Sequence, residues 1–315
     1  MSKLSIHDNF IRSIMSDKNV ARDYFKGFLP GLVRDLLDLD SLEQSTDTYV
    51  SKELHKTMSD IVYTCRKKDM GEPVKICLLI EHKSYVDQNT PVQIGGYIFA
   101  GLMKQVVNKE SISMIIPILL YHGKKRWEYQ TLSDLFVNLE PALRSFVPNF
   151  DYIYNDLGEI SDEQIELLEN KFLVASMLAL KYSFNKKWLE LNAVRLLVWS
   201  DGIDGNLQSG FIVYLFERSE LKENNIVDIL EAVPFKIKDK VMSTLDIFVE
   251  KGRKIGLEEG IGKGIEKGLE KGIAQGKSEF VSNLLKNTDF DHTKIAALAN
   301  VSQEFVRNVQ LNLNK

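Results

Sequence analysis

The chain has 315 residues, 44% of them hydrophobic, and a formal net charge of −4. This length is sufficient to bury one large core or two to three smaller ones. The balanced charge excludes binding to nucleic acids or membranes through net charge alone, so such binding would need local patches. The first residues, MSKLSIHDNF, lack the apolar stretch of a secretory signal, and no segment is long and apolar enough to span a bilayer. We therefore expect a cytoplasmic protein with no membrane partner.

The first half of the chain mixes helix and strand patterns. The stretch HDNFIRSIMSDKNVARDYFKGFLP has apolar residues spaced by three and four and ends at a proline, which predicts helices. DIVYTC predicts a strand, RKKDMGEP predicts a turn, and VKICLLIEHK predicts a buried strand that completes an antiparallel hairpin. The two cysteines lie in these apolar strands without metal-binding spacing, so we expect reduced core residues.

The next segments predict a strand-helix-strand unit. TPVQIGGYIFAGLMKQVV is typical of a buried helix that begins near Pro91, and SISMIIPILLYHG is typical of another buried strand. A crossover of this kind gives a parallel pair with a right-handed connection. FDYIYNDL adds one more predicted strand. The fold class is therefore α/β.

From Ser161 onwards the predicted elements are helical. Within this region glycine recurs at every fourth residue from Gly252 to Gly276, and an aliphatic residue follows at the same spacing from Leu257 to Ile273. Each interior glycine costs a helix about 1 kcal/mol relative to alanine, so we expect a helix that self-associates along this stripe. A flexible glycine-rich linker is the alternative. The tail predicts two short helices with Ser302 as an N-cap, either a helix-turn-helix or a plain helical pair.

Polar residues at the tip of the second hairpin strand predict a catalytic site. Glu81 and Lys83 share one face of the strand, and His82 points to the other. In the predicted hairpin, Asp60 comes close to Glu81, and two carboxylates with few other oxygen ligands suit Mg²⁺. The backbone carbonyl of His82 is a candidate further ligand, whereas its side chain is expected to pack. Lys83 would stabilise charge on a phosphoryl oxygen. The alternative is a strand end that simply reaches solvent.

Two more polar residues support this prediction. Gln93 and Tyr97 are four residues apart, on one face of the crossover helix and a short loop away from Lys83. Asp8, near the N-terminus, is expected to cap a helix.

The first half resembles the recombination-promoting nucleases, also described as transposases, which belong to the PD-(D/E)xK nuclease superfamily. The resemblance is carried by HDNFIRSIMSDKNVARDYFKGFLP, SKELHKTMSDIVYTC, CLLIEHKS, QIGGY and PILLYHG, and it extends to the glycine repeat. It implies a restriction-endonuclease-like core, a central mixed sheet flanked by helices. It also implies an Mg²⁺ cofactor, with Mn²⁺ as the alternative, and DNA as the partner.

The resemblance assigns roles to individual residues. Asp60 corresponds to the superfamily aspartate, Glu81 to the second acid and Lys83 to the lysine, while Gln93 and Tyr97 match the Q-x-x-x-Y motif of RecB-like nucleases. Two further positions match the superfamily pattern less well. Glu53 corresponds to an acidic residue on the preceding helix, in an uncertain register. Ser59 stands where the superfamily has a proline before the aspartate.

We therefore predict four segments and one leading function. The segments are a PD-(D/E)xK nuclease core (1–160), an α-helical region (161–250), a glycine-repeat helix for homo-oligomerisation (251–279) and a small helical pair (280–315). The function is Mg²⁺-dependent cleavage of DNA phosphodiester bonds in recombination, mobile-element biology or defence against foreign DNA. The alternative is a DNA-binding or regulatory oligomerisation protein on a nuclease fold that does not cleave.

Overall fold

The structure is a computed structural model that divides into two compact units. This division does not test the limits of the four segments predicted from the sequence, which stay predictions. Within the described ranges, no helix combines the length and apolar character needed to cross a bilayer. The described residues are 6–45, 61–68, 75–219, 221 and 223–313, and the two units are Met1–Thr244 and Leu245–Lys315.

A mixed sheet of five strands forms the centre of the first unit. Its strands are Leu37–Gln44 (β1), Ile61–Lys67 (β2), Lys75–Lys83 (β3), Met114–Tyr121 (β4) and Ile153–Asp156 (β5). They lie side by side in chain order, with β1–β2 and β2–β3 antiparallel and β3–β4 and β4–β5 parallel. The predicted hairpin, parallel pair and last strand are confirmed, and with them the α/β class.

Twelve α-helices occur among the described residues. The helices predicted before Pro30, near Pro91 and from Ser161 onwards are confirmed. Their bounds are Ile6–Ile14 (α1), Lys18–Phe28 (α2), Gly31–Arg34 (α3), Thr90–Val107 (α4), Asp162–Glu166 (α5), Lys171–Lys181 (α6), Lys186–Trp199 (α7), Gly205–Ser219 (α8), Glu223–Ala232 (α9), Phe235–Asn287 (α10), His292–Ala299 (α11) and Gln303–Leu313 (α12).

Strand β1 was not predicted, because its alternation is interrupted. Leu37 and Leu39 are buried, but the next buried leucine is Leu42, so the period of two breaks between them. The pairing with β2 shifts register between Asp38 and Glu43. A bulge of this kind moves the inward-facing set of side chains by one position, which hides the strand pattern from the sequence.

Strand β3 lies at the centre of the sheet, between β2 and β4. Its apolar residues Leu78, Leu79 and Ile80 are at most 1% exposed. The pairing with β4 continues to the last residue of the strand, where Lys83 lies opposite Tyr121. The polar tip is therefore inside the sheet and does not project beyond it.

The two cysteines are core residues, as predicted. Cys65 and Cys77 are both buried, and neither forms a disulfide.

The second unit has a core of its own. Val281 of α10 packs with Ile295 of α11 and Val306 of α12 in one buried cluster. Asn300 ends α11 in the left-handed conformation, at φ 49° and ψ 57°. The predicted N-cap of α12 is confirmed, since the Phe305 N–H donates to Ser302 Oγ at 3.1 Å.

A cluster of three buried histidines connects the N-terminal helix to the sheet. The rings of His82 and His122 stack with centroids 4.8 Å apart, and His7 lies 4.7 Å from His122. His7 Nδ1 is 2.9 Å from the Tyr214 hydroxyl, and His82 Nδ1 is 3.1 Å from Asp8 Oδ1. These contacts join α1, β3, the end of β4 and α8.

Burial keeps the three histidines neutral. It lowers the pKa of His7 to about 4, and it lowers the pKa of His82 although the Asp8 carboxylate opposes this shift. Burial also holds the pKa of His122 well below its usual range. In the unfolded chain a histidine has a pKa near 6.5. The unfolded state therefore binds more protons than the folded state below about pH 6.5, so acid destabilises the fold.

We expect the free energy of unfolding to fall between pH 7.5 and 5.5, because the unfolded chain takes up protons that the buried histidines do not, by on the order of 1 kcal/mol per histidine. His122→Phe should reduce this fall, since phenylalanine stacks but does not titrate. Urea unfolding, followed by circular dichroism at the two pH values, measures this change in the free energy of unfolding. An equal fall in wild type and His122→Phe would contradict the prediction.

Candidate active site

Glu81 and Lys83 form a buried ion pair at the end of the central strand. Both side chains lie on the same face of β3, as the strand period predicts. Their exposed fractions are 3% and 7%, and Lys83 Nζ is 3.6 Å from Glu81 Oε1. The alternative interpretation, a solvated strand end, is wrong. Burying two charges is costly unless they are paired and hydrogen-bonded, so this pair depends on further polar partners.

Helix α4 supplies two of these partners. Lys83 Nζ donates a hydrogen bond to Gln93 Oε1 at 2.8 Å, and the Tyr97 hydroxyl lies 3.5 Å from Glu81 Oε2. Gln93 and Tyr97 are one helical turn apart, so each reaches a different member of the ion pair. The structure thus brings together four of the five residues predicted to be catalytic.

Asp87 completes the cluster and was not predicted. Its Oδ2 atom accepts hydrogen bonds from Lys83 Nζ at 3.1 Å and from Gln93 Nε2 at 3.0 Å. Its Oδ1 atom accepts from the backbone N–H of Asn89 at 3.0 Å. Burial raises the pKa of Asp87, but the hydrogen bonds from Asn89, Lys83 and Gln93 outweigh this effect and leave that pKa below its usual range. The carboxylate is therefore ionised at neutral pH.

The sequence contains one indication of this role. Asp87 lies four residues after Lys83 and just before the helix that carries Gln93, in the turn segment VDQNTP. An aspartate in such a turn often accepts a hydrogen bond from the backbone two residues later. That pattern predicts the contact with Asn89. It does not predict that the second oxygen meets Lys83 and Gln93.

The opposite face of β3 is structural. The His82 side chain packs among rings, as predicted, and it contacts Asp8. Asp8 lies in the first turn of α1 and its carboxylate faces His82, so its role as a helix cap stays a prediction. That contact links residues far apart in sequence, so no local pattern reveals it. The His82 backbone carbonyl as a metal ligand stays a prediction.

The remaining predicted residues fall outside the described part of the chain. Asp60, Glu53 and Ser59 precede the first described residue of β2. That residue, Ile61, pairs with Ile80, the residue before Glu81.

Among the described residues, the carboxylate of Glu81 is of the type that Mg²⁺ prefers, but it is a single ligand. Carboxylate oxygens suit Mg²⁺, which typically uses one or two carboxylates and keeps several waters. Glu81 provides such oxygens in a buried setting. Across the described ranges, His, Cys, Asp and Glu side chains do not form a group of three or more that would hold a metal. Asp60 as a second ligand stays a prediction.

Known proteins similar to this chain include several nucleases. The inactive recombination-promoting nuclease-like protein RpnE of Escherichia coli K12 is 24% identical over 260 residues, which is 81% of this chain and 85% of that protein. The recombination-promoting nuclease RpnA of the same strain is 22% identical over 254 residues, 79% and 85% of the two chains. RpnD of Escherichia coli O157:H7 is 26% identical over 161 residues, 50% and 61% of the two chains. No solved structure matches.

A family model described as "Putative transposase, YhgA-like" matches residues 5–199. This range is more than half of the chain, and it contains the whole polar cluster of Glu81, Lys83, Asp87, Gln93 and Tyr97. The chain belongs to the YhgA-like transposase family.

Proposed function

We propose that the protein is an Mg²⁺-dependent DNA endonuclease with a restriction-endonuclease-like core of the PD-(D/E)xK type. The buried Glu81–Lys83 pair carries this proposal, because it places a carboxylate and an ammonium on one strand face within 3.6 Å. Phosphodiester hydrolysis uses both groups, the carboxylate to hold a cation and the ammonium to meet the phosphate. The names of RpnA and RpnD, both recombination-promoting nucleases, support the same class of reaction.

Each residue of the cluster has a role in this mechanism. Glu81, together with Asp60, would hold the cation. A bound Mg²⁺ supplies charge neutralisation at the phosphate and a water of lowered pKa. Lys83 would donate hydrogen bonds to a phosphoryl oxygen as negative charge develops there. Tyr97 orients Glu81, and Gln93 orients Lys83, through the contacts of 3.5 and 2.8 Å.

One observation favours the alternative, a DNA-binding or regulatory protein that does not cleave. RpnE, which is similar to this chain over 81% of its length, bears a name that calls it inactive. Against this alternative, Glu81 and Lys83 are both present here and are held by Gln93 and Tyr97. Cleavage of plasmid DNA with and without Mg²⁺ separates the two functions.

The primary test replaces the groups that act on the metal and the phosphate. Because Glu81 and Lys83 are buried, truncation to alanine would leave a cavity beside the site, so substitutions of similar size are needed. We expect Asp60→Asn and Glu81→Gln to abolish Mg²⁺-dependent nicking, and Lys83→Met to lower kcat by about 10²–10³-fold. DNA binding should persist, since affinity depends mainly on dispersed basic contacts.

The control is Glu43→Ala, which removes an exposed carboxylate from β1. It should nick plasmid DNA at the wild-type rate. Equal nicking by wild type, Asp60→Asn and Glu81→Gln would indicate a contaminant or another site and would exclude the proposed function.

The two helix residues should have smaller effects than the ion pair. Gln93→Ala and Tyr97→Phe remove hydrogen bonds to Lys83 and Glu81 but leave both charges in place. Groups that orient a ligand in this way typically contribute about 10–100-fold to activity or metal affinity. Steady-state rates at varied Mg²⁺ measure the effects. If Tyr97→Phe leaves both the rate and the Mg²⁺ requirement unchanged, Tyr97 has no part in the site.

We further propose that the protein forms a homo-oligomer through the glycine repeat. The whole repeat lies in α10, and its aliphatic residues are more than half exposed, with values of 58, 54, 67, 63 and 51%. Apart from the adjoining backbone of the helix itself, a methyl group added at the repeat glycines would meet no atom of the described residues within 4 Å. The glycines are thus not required by contacts within the chain, although close approach of a second helix would require them. The five aliphatic residues are Leu257, Ile261, Ile265, Leu269 and Ile273.

Two variants of the repeat test this proposal. Replacing Ile261, Ile265, Leu269 and Ile273 with lysine should lower the oligomer state, measured by light scattering, without unfolding the first unit. Replacing Gly260, Gly264 and Gly268 with alanine should raise helix stability by about 1 kcal/mol per site yet weaken association, because the methyl groups block close contact. A monomeric wild type, or an unchanged mass in both variants, would exclude self-association.

A further inference from the structure

We infer that Asp87 is a positioning residue of this site, which holds the Lys83 ammonium and the Gln93 amide together as one unit. The inference rests on the proposed function for its catalytic consequence. Its structural part, that Asp87 restrains Lys83, is independent of that function.

The Lys83 ammonium donates two hydrogen bonds, to Gln93 Oε1 at 2.8 Å and to Asp87 Oδ2 at 3.1 Å. Glu81 Oε1 lies at ion-pair distance from it, 3.6 Å. The Gln93 side chain also donates from Nε2 to the same Asp87 oxygen, at 3.0 Å. Lys83, Gln93 and Asp87 therefore form a closed triangle of hydrogen bonds. A long lysine side chain is otherwise free to adopt many rotamers, and this triangle selects one of them.

The backbone around Asp87 fixes the triangle to helix α4. Asp87 Oδ1 accepts from Asn89 N–H at 3.0 Å, and the Asp87 carbonyl accepts from Thr90 N–H at 3.1 Å. Thr90 is the first residue of α4. The two carboxylate oxygens thus have separate tasks, because one holds the turn and the other holds the side chains. Serine is long enough for the first task only, and asparagine offers only one acceptor oxygen for both.

Charge gives Asp87 a second effect. Lys83 lies between two carboxylates, and the one at 3.1 Å is closer than Glu81 at 3.6 Å. Without Asp87 the ammonium would lose its closer carboxylate and keep Glu81 as its anionic neighbour in the cluster. Glu81 is the residue assigned to the cation, so a lysine that pairs tightly with Glu81 competes for the oxygens that the cation needs. Asp87 therefore keeps Lys83 near the cation site without letting it occupy Glu81.

The test uses Asp87→Ser, which preserves the turn contact with Asn89 but cannot reach Lys83 or Gln93. The matched control is Asp204→Ser. Asp204 makes the same turn contact before α8, with its Oδ1 accepting from Asn206 N–H at 2.9 Å. Both substitutions shorten a turn aspartate at the start of a helix, so an effect of the turn alone should be similar in the two variants.

The first measurement does not depend on cleavage. Amine modification by formaldehyde and borohydride, quantified at Lys83 by peptide mass spectrometry, reports how firmly the ammonium is held. We expect Lys83 to react about fivefold faster in Asp87→Ser than in wild type, the factor that corresponds to one ordinary hydrogen bond. Asp204→Ser should react at the wild-type rate. An unchanged Lys83 rate in Asp87→Ser, or an equal rise at the half-buried Lys181, which pairs with Asp162, would overturn the inference.

The second measurement reports the catalytic consequence. In Asp87→Ser we expect kcat for plasmid nicking to fall about 10–100-fold with KM for DNA changed less than about twofold, and the Mg²⁺ concentration for half-maximal rate to rise. Adding Gln93→Ala to Asp87→Ser should lower kcat little further, because both substitutions break the same triangle. Additive effects, or a loss confined to KM, would overturn the positioning role.

The two measurements distinguish failure of this inference from failure of the proposed function. If the wild type does not nick DNA, the endonuclease proposal fails, and the modification rate at Lys83 alone decides whether Asp87 holds the lysine. If the wild type nicks DNA and Asp87→Ser nicks equally well, the endonuclease proposal stands and the positioning role is excluded.

Discussion

The burial of the Glu81–Lys83 pair is the constraint on which the rest of the site depends. Each ion loses its hydration when it enters the interior, at a cost of several kcal/mol, and mutual attraction offsets this only when the remaining donors and acceptors are satisfied. At 3.6 Å the pair does not meet this condition alone. The described structure meets it with the second carboxylate of Asp87, the amide of Gln93 and the hydroxyl of Tyr97. The turn and helix after β3 are thus as necessary to the site as the strand.

The opposite face of the same strand has a different requirement. His82 is flanked by the charged residues Glu81 and Lys83 in sequence, yet its ring stacks on His122 and is buried. A neutral ring can be buried at low cost, whereas a protonated ring cannot. Asp8 gives the ring one polar partner at 3.1 Å and ties β3 to α1. One strand therefore carries a charged face and a neutral face. The neutral face packs β3 against α1 and His122, and the charged face carries the polar cluster with Gln93 and Tyr97.

Much of the fold and part of the site could be predicted from local patterns. The period of two places Glu81 and Lys83 on one face, and the spacing of four places Gln93 and Tyr97 on one side of α4; both arrangements follow from backbone geometry. What the sequence could not reveal depends on tertiary contacts or on irregular backbone. Strand β1 contains a bulge, Asp8 meets a residue 74 positions away, and the second oxygen of Asp87 depends on how the turn places it. Local sequence patterns do not predict contacts between side chains that are brought together only by the tertiary fold.

Contacts among the described residues do not explain why glycine occupies the repeat positions of α10, where alanine would stabilise the helix. Glycine is the poorest helix former after proline, by about 1 kcal/mol relative to alanine. Alanine would fit at every repeat position from Gly252 to Gly276, since its methyl group would meet no described residue within 4 Å beyond the adjoining backbone of the helix. The repeat is nevertheless helical, and its exposed aliphatic residues follow the same spacing as the glycines. A helix that acted alone would gain stability from alanine and lose nothing. Retaining glycine at this cost is consistent with a surface that has to lie close to another backbone, where the missing methyl groups and the exposed aliphatic side chains serve together.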